Sequence, residues 1–191
     1  LYDPRYEKDA CGVGMVADIG GVASRSIVDG ALRVLENLDH RGARGCEQDT
    51  GDGAGILCGM PDKFMRRVAA ELSVELPPLR QYAVGNVFLG KGEDDIREGR
   101  RIFETVCAGM AGLKLLVWRR VPVFSDCLGK TARNFEPVVE QAFIAAEGAL
   151  AKDPKRFEAA LFVVRKKAAN MAALVPGMPF YVCSLSNRVV N

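Results

Sequence analysis

The chain has one histidine, His40, one tryptophan, Trp118, and no two cysteines in C-x-x-C spacing. A zinc site needs closely spaced thiolate or imidazole ligands, and this sequence supplies none. Its six cysteines, at positions 11, 46, 58, 107, 127 and 183, are scattered. A chain of this length, well supplied with apolar residues, does not need disulfides, so reduced thiols in a reducing compartment are expected. No run approaches the ~18 apolar residues of a membrane span. The leader Leu1 to Ala10 lacks the basic start and long apolar middle of a secretory signal. An excess of either charge is missing too: 26 basic residues stand against 24 acidic ones, for a net charge of +2. That balance gives no reason to expect nucleic acid or a membrane surface as partner. Low-complexity tracts and internal repeats are absent, and a soluble protein acting on small molecules is the expectation.

What is present suffices for one sizeable core, or half of a larger domain: 191 residues, 49% of them hydrophobic. Val13 to Ile19 reads as a strand ending in a Gly20-Gly21 turn. Ser26-Ile27-Val28-Asp29 resembles a capping box, and Ile27, Val28, Ala31, Leu32, Leu35 and Leu38 follow at helical spacing to His40-Arg41-Gly42. Gly53 to Met60 reads as a strand, and Pro61-Asp62 as the start of a helix. A strand at about 81–90, a helix opening at Asp94-Asp95 and a strand from Leu113 to Val123 come next. Pro137 suits the first turn of a helix carrying Val138, Val139, Ala142, Phe143, Ala146 and Leu150. Phe157 to Arg165 reads as a strand passing into a basic helical stretch, and Phe180 to Ser186 as a last strand. Arg119-Arg120 and Lys166-Lys167 read as solvated faces. Strands mixed with helices argue for an α/β or α+β domain, and periodicity alone does not separate a doubly wound sheet from a helix-covered sandwich.

The chemistry centres on Ala10-Cys11-Gly12-Val13-Gly14. If residues 1–10 form a removable pro-segment, Cys11 becomes the first residue. Its own α-amino group, with a reference pKa near ~7.7–8.0, is then a base within reach of the thiol. The other reading makes Cys11 a small core residue at a strand start. Arg41-Gly42 also reads two ways. A guanidinium can grip a carboxylate through two parallel hydrogen bonds while glycine admits close backbone. Alternatively, the arginine faces solvent and Gly42 caps the helix. His40 reads as structural. Thr50-Gly51-Asp52-Gly53-Ala54-Gly55 lacks the G-x-x-x-x-G-K-[ST] form and precedes a strand, so it reads as a tight turn and not as a phosphate loop.

Three segments, Cys11-Gly12-Val13-Gly14, Glu36-Asn37-Leu38-Asp39-His40-Arg41-Gly42 and Asp49-Thr50-Gly51-Asp52-Gly53-Ala54-Gly55-Ile56-Leu57, together resemble the class II glutamine amidotransferases. The likeness is to the N-terminal part of the glutamate synthase large subunits. Arg120-Val121-Pro122-Val123, Leu128-Gly129-Lys130-Thr131-Ala132-Arg133 and Phe180-Tyr181-Val182-Cys183-Ser184-Leu185-Ser186 agree with it. The resemblance implies an α+β fold, the four-layer αββα sandwich of N-terminal-nucleophile hydrolases. It divides the chain into a pro-segment, 1–10, and the N-terminal part of an amidotransferase domain, 11–191, with the sandwich incomplete at its C-terminal end.

The implied reaction is hydrolysis of the glutamine side-chain amide through a Cys11 thioester, with Arg41, Gly42 and Asp52 binding substrate. No Asn-Gly pair, the family's oxyanion-hole signature, occurs in these residues. FMN and an iron–sulfur cluster are implied for the full-length enzyme and none for this chain. The implied partners are the 2-oxoglutarate/FMN domain and either a reductase subunit or ferredoxin, in the cytoplasm or a plastid. The competing reading is a non-catalytic α/β interaction module with an inert buried cysteine. A further rival, an amidotransferase of purine or amino-sugar synthesis, is disfavoured by the long Cys11-to-Arg41 spacing.

Overall fold

The computed structural model describes residues 11–42, 47, 50–51 and 53–191. The candidate pro-segment, Cys46 and Asp52 lie outside the described residues. Two compact units are present: the residues up to Ile56 together with Phe124–Phe135, and Leu57–Val123 together with Glu136–Asn191.

The larger unit is built on a four-stranded antiparallel sheet in the order β3-β4-β2-β5. Its strands are β2 (Tyr82–Leu89), β3 (Leu113–Arg120), β4 (Val138–Ala146) and β5 (Phe180–Ser186). Two helices, α3 (Glu93–Ala108) and α5 (Pro154–Ala173), cover one face. There Ile102 and Phe103 of α3 and Phe157, Leu161 and Val164 of α5 bury against Val87, Leu89, Ala142 and Ile144. On the other face, Met65, Val68 and Ala69 of α2 (Asp62–Glu71) pack on Tyr82, Val84 and Phe143. Beside them lies Val190 of β6 (Val189–Val190), which pairs antiparallel with β1 (Cys58–Gly59). A mixed helix-and-sheet architecture with antiparallel sheets is therefore present, consistent with the expected sandwich fold.

Two elements have the opposite type from that read in the sequence. Val138–Ala146 is a strand and not a helix, because its apolar side chains are divided between the two faces: Ala142 and Ile144 on one, Phe143 on the other. Pro154–Ala173 is a helix throughout and not a strand. Asp153 caps it, accepting hydrogen bonds from the Lys155 and Arg156 backbone N–H groups at 3.1 and 3.0 Å, and Pro154 occupies the first turn. The strand expected over Gly53–Met60 shrinks to Cys58–Gly59. Arg120, Lys166 and Lys167 are exposed as expected, whereas Arg119 is half-buried. It donates to Gln141 Oε1 at 2.8 Å and lies 5.9 Å over the Phe64 ring.

Two buried polar groups of the sheet, Glu140 and Tyr82, are paired with side chains of the helices that cover it. Glu140, 1% exposed, receives a two-pronged guanidinium from Arg100 of α3, with both N–O distances 2.7 Å. The Glu140 carboxylate raises the Arg100 pKa above its ordinary value, against the effect of burial. On the opposite face Tyr82 donates to Asp62 Oδ1 at 2.8 Å, and Arg66 bonds Asp62 together with the Leu76 and Pro77 carbonyls.

Truncating Arg100 would strand a carboxylate in the core, the costly half of breaking a buried pair. Arg100→Ala should lower unfolding free energy by about 3–5 kcal/mol in urea denaturation. Replacing both partners, as Arg100→Met with Glu140→Leu, should recover most of that loss. A double variant as unstable as the single one would show that the loss has another origin.

Candidate active site

The smaller unit holds the sequence-predicted chemistry. Its helix α1 (Arg25–Asn37) starts from Ser24 as N-cap, with no side-chain capping bond. The capping box read at Ser26 is thus displaced, and Asp29 instead pairs with Arg25 at 2.8 Å. A 3-10 turn, Asp39–Arg41, continues the chain, closed by Arg41 N–H to the Leu38 carbonyl at 2.8 Å. His40 Nδ1 donates to the Asn37 carbonyl at 3.0 Å, a local structural bond of the kind expected. Gly42 is the C-cap of this turn in extended conformation.

Val13–Ile19 does not form the expected strand. Val13, Met15 and Ile19 stand exposed, and the segment lies along α1. Its glycines make that possible. A Cβ on Gly12 would sit 2.9 Å from Leu38 Cδ2 and 3.2 Å from Arg41 Cβ, and one on Gly14 would sit 2.3 Å from Val34 Cγ1. Val16 answers from the other side, against Gly30. Backbone and helix approach too closely for side chains at these points. The Gly20-Gly21 turn is present, with Gly21 N–H bonded to the Asp18 carbonyl at 3.0 Å.

Cys11 is exposed and Arg41 is exposed. Gly12, the neighbour of Cys11 in the chain, touches the Arg41 stem. The segment carrying the thiol and the one carrying the guanidinium therefore meet. An exposed Cys11 does not fit the inert buried cysteine of the competing reading. Buried thiols do occur elsewhere: Cys107 is in the core, where burial pushes its pKa up to about 11. Among the described residues no group of three or more His, Cys, Asp or Glu side chains is placed to hold a metal ion.

The same unit holds a second polar cluster, centred on Glu47. Glu47 gathers donors from a distant segment, the start of α4 (Lys130–Phe135). Thr131 N–H reaches both carboxylate oxygens, at 3.2 and 3.0 Å, and the Thr131 hydroxyl donates to Oε1 at 2.8 Å. The Thr50 hydroxyl donates to Oε2 at 3.0 Å. These bonds, the Thr131 backbone N–H first, hold the Glu47 pKa below its ordinary 4.5. In the sequence, Leu128-Gly129-Lys130-Thr131 carries only the family resemblance and gives no sign of this bond.

The larger unit has a cleft of about 430 Å³ at the β5 edge, lined among others by Glu158, Phe162, Arg165 and Ser184. It contains none of the predicted site residues.

The family model for class II glutamine amidotransferases matches residues 11–191. The chain is 39% identical over 194 residues to the NADH glutamate synthase of Schizosaccharomyces pombe, covering 100% of this chain and 9% of that protein. It is 39% identical over 190 residues to the large chain of NADPH glutamate synthase from Bacillus subtilis, covering 100% and 12% respectively. The ferredoxin-dependent glutamate synthase of Pyropia yezoensis is 37% identical over 183 residues, 94% of this chain and 12% of that protein. The chain thus spans about a tenth of the length of these relatives.

The depressed Glu47 pKa fixes the sign of a pH effect. Its contribution to holding α4 is complete above the ordinary value of 4.5 and disappears as pH falls through the lowered folded value. Hydrogen exchange at the Thr131 amide, corrected for intrinsic rate, should therefore accelerate on acidification below pH 4.5. In Glu47→Ala it should already be fast at neutral pH. Equal protection in parent and variant would remove the carboxylate from this role.

Proposed function

Because the chain belongs to the class II glutamine amidotransferases, we propose that it supplies the glutamine-hydrolysing part of a glutamate synthase, with Cys11 as nucleophile. The observation that carries this reading is the packing of Gly12 on Arg41, which joins the cysteine and arginine segments in one unit. The match to the family model begins at Cys11 itself.

In this mechanism residues 1–10 are removed and the freed α-amine of Cys11 takes the thiol proton. The thiolate attacks the side-chain amide carbon of glutamine. The tetrahedral oxyanion then collapses to a γ-glutamyl thioester as ammonia leaves with the added proton. Water, deprotonated by the same amine, opens the thioester to glutamate and regenerates the thiol. Arg41 holds the substrate α-carboxylate by a planar two-bond grip, with Gly42 giving backbone access and Asp52 helping to position the substrate. In a full-length enzyme of this kind, FMN and an iron–sulfur cluster held outside residues 1–191 would supply the electrons for reductive transfer of the ammonia to 2-oxoglutarate. The relatives' names include NADH, NADPH and ferredoxin, which supports a reductase subunit or ferredoxin as the partner in this reading. Among the described residues no helix is long and apolar enough to cross a membrane. We place the protein in the cytoplasm, or in a plastid where the organism has one.

In the full-length enzyme, Cys11→Ala should abolish glutamine-dependent glutamate synthesis and leave ammonia-dependent synthesis largely intact. Cys58→Ala should do neither. Glutamine use that survives in the Cys11 variant would sink the assignment.

Arg41→Lys keeps the charge and loses the fork, so it is not a conservative change at such a site. Steady-state kinetics should give a KM for glutamine raised about tenfold or more, consistent with loss of one charge-assisted bond. A well-folded variant with parental KM and kcat would return Arg41 to the surface.

A further inference from the structure

The segment that follows Cys11 is keyed into α1 by three contacts. Gly12 faces Leu38, Gly14 faces Val34, and Val16 faces Gly30. Every second residue of the segment thus meets every fourth residue of the helix, in the opposite direction. Two residues of extended chain advance about 6.6 Å and four of α-helix about 6.0 Å, so the contacts stay in step. Val13 and Met15, the residues between, are exposed, as alternation requires. None of the three glycines has a positive φ, so they provide space and not backbone freedom. Gly30 even sits inside a helix, where its propensity is poor, and Val16 Cγ1 fills the room it leaves, 3.3 Å from where a Cβ would stand.

This pattern admits one register. Moved by one residue in either direction, the segment would press Val13 or Met15 on Val34, where only glycine fits. Moved by two, it would press Val16 on Val34 or leave Gly14 opposite Gly30 with a gap between them. The contacts end at the chemistry. Leu38 meets Gly12, the neighbour of Cys11, with its methyl groups, and its carbonyl accepts the Arg41 N–H at 2.8 Å. We infer that Val34 and Leu38 are positioning residues for the glutaminase site: by fixing the register of the Cys11 segment on α1, they fix where the thiol lies relative to the Arg41 guanidinium. This deepens the glutaminase reading and rests on the roles it gives Cys11 and Arg41. With the register disturbed, Arg41 would still hold glutamine, but the amide carbon would no longer be in line with the thiol. Such misplacement lowers kcat and leaves KM nearly unchanged.

A Cβ on Gly14 would stand 2.3 Å from Val34 Cγ1 but 3.5 Å from Val34 Cβ. Gly14→Ala must therefore displace the segment, whereas adding Val34→Ala removes the obstructing methyl and leaves an ordinary contact. The test uses the full-length enzyme, produced with Cys11 directly after the initiator methionine so that leader removal does not differ between variants. Gly14→Ala, Val34→Ala and the double variant are assayed with glutamine and separately with ammonia. Gly14→Ala should lower kcat for glutamine on the order of 10²-fold, with KM and ammonia-dependent activity near parental. Val34→Ala should lose less, because it opens a gap without forcing a shift. The double variant should recover to within about tenfold of the parent, the non-additivity expected of two groups in contact. Parental kcat in Gly14→Ala would overturn the proposal. So would a double variant as slow as Gly14→Ala, or a rise in KM that accounts for the loss. Parallel loss of ammonia-dependent activity would also overturn it, since that marks a structural role alone. Cys11→Ala, assayed alongside, separates the two failures. If that variant still uses glutamine, the glutaminase reading has failed. If it does not, and Gly14→Ala is parental, only the positioning role has been misassigned.

Discussion

A strand buried on both faces has no water to satisfy its polar side chains, and β4 carries two of them side by side, Glu140 at 1% and Gln141 at 6% exposure. They point to opposite faces, and each is met by an arginine. Arg100 descends from α3 onto Glu140, and Arg119, paired with Gln141 in the β3–β4 register, bonds its side-chain oxygen. Each arginine also covers an aromatic ring, Arg100 over Trp118 and Arg119 over Phe64, so the charge is delivered along with apolar area. Leaving either acceptor bare would cost about 1–3 kcal/mol, more for the carboxylate, against a total stability of roughly 5–15 kcal/mol. Arg100 thus ties helix α3 to the sheet, whereas Arg119 ties two neighbouring strands within it.

The same two-sided burial explains where the sequence misled. A half-buried strand alternates apolar and polar residues, but Val138 to Ala146 fills both faces, and its pattern loses period two. Alanines at 142, 145 and 146 and Pro137 at the head then favour helix by propensity. The opposite error at Phe157 arose from reading the apolar cluster Leu161, Phe162, Val163 and Val164 as a strand core. Asp153-Pro154, a cap followed by a first-turn proline, was the local signal that outweighed it. Helices with one apolar stripe and acidic first turns, such as α3, and strands with bounded runs, such as β2 and β5, were legible because their local and tertiary preferences agree.

At the candidate site the split between legible and illegible residues follows the same physics. Cys11, Arg41 and Gly42 announce themselves through chemistry that short motifs preserve. The roles of Gly12 and Gly14 are steric and appear only when α1 is laid beside them. Glu47 was hidden because its partner Thr131 comes from another part of the chain, and one-dimensional spacing carries no trace of a bond across 84 residues. Asp52 was named from its motif and lies outside the described residues.

The two units are held together internally by different forces. Residues 57–123 and 136–191 bury Phe103, Phe143, Phe157 and Tyr82 completely, whereas α1 in the other unit buries none of its side chains. A nucleophilic thiol has reason to be in the second kind of environment. Cys107 illustrates the alternative, since a thiol with a pKa pushed up to about 11 by burial is almost wholly protonated at neutral pH. An exposed thiol keeps both its access to substrate and the solvation of its charged form. What the unit forgoes in apolar burial it replaces with close backbone contacts at glycines and with charge-assisted bonds at Glu47. Order at the candidate site therefore depends on hydrogen-bond geometry more than on core volume.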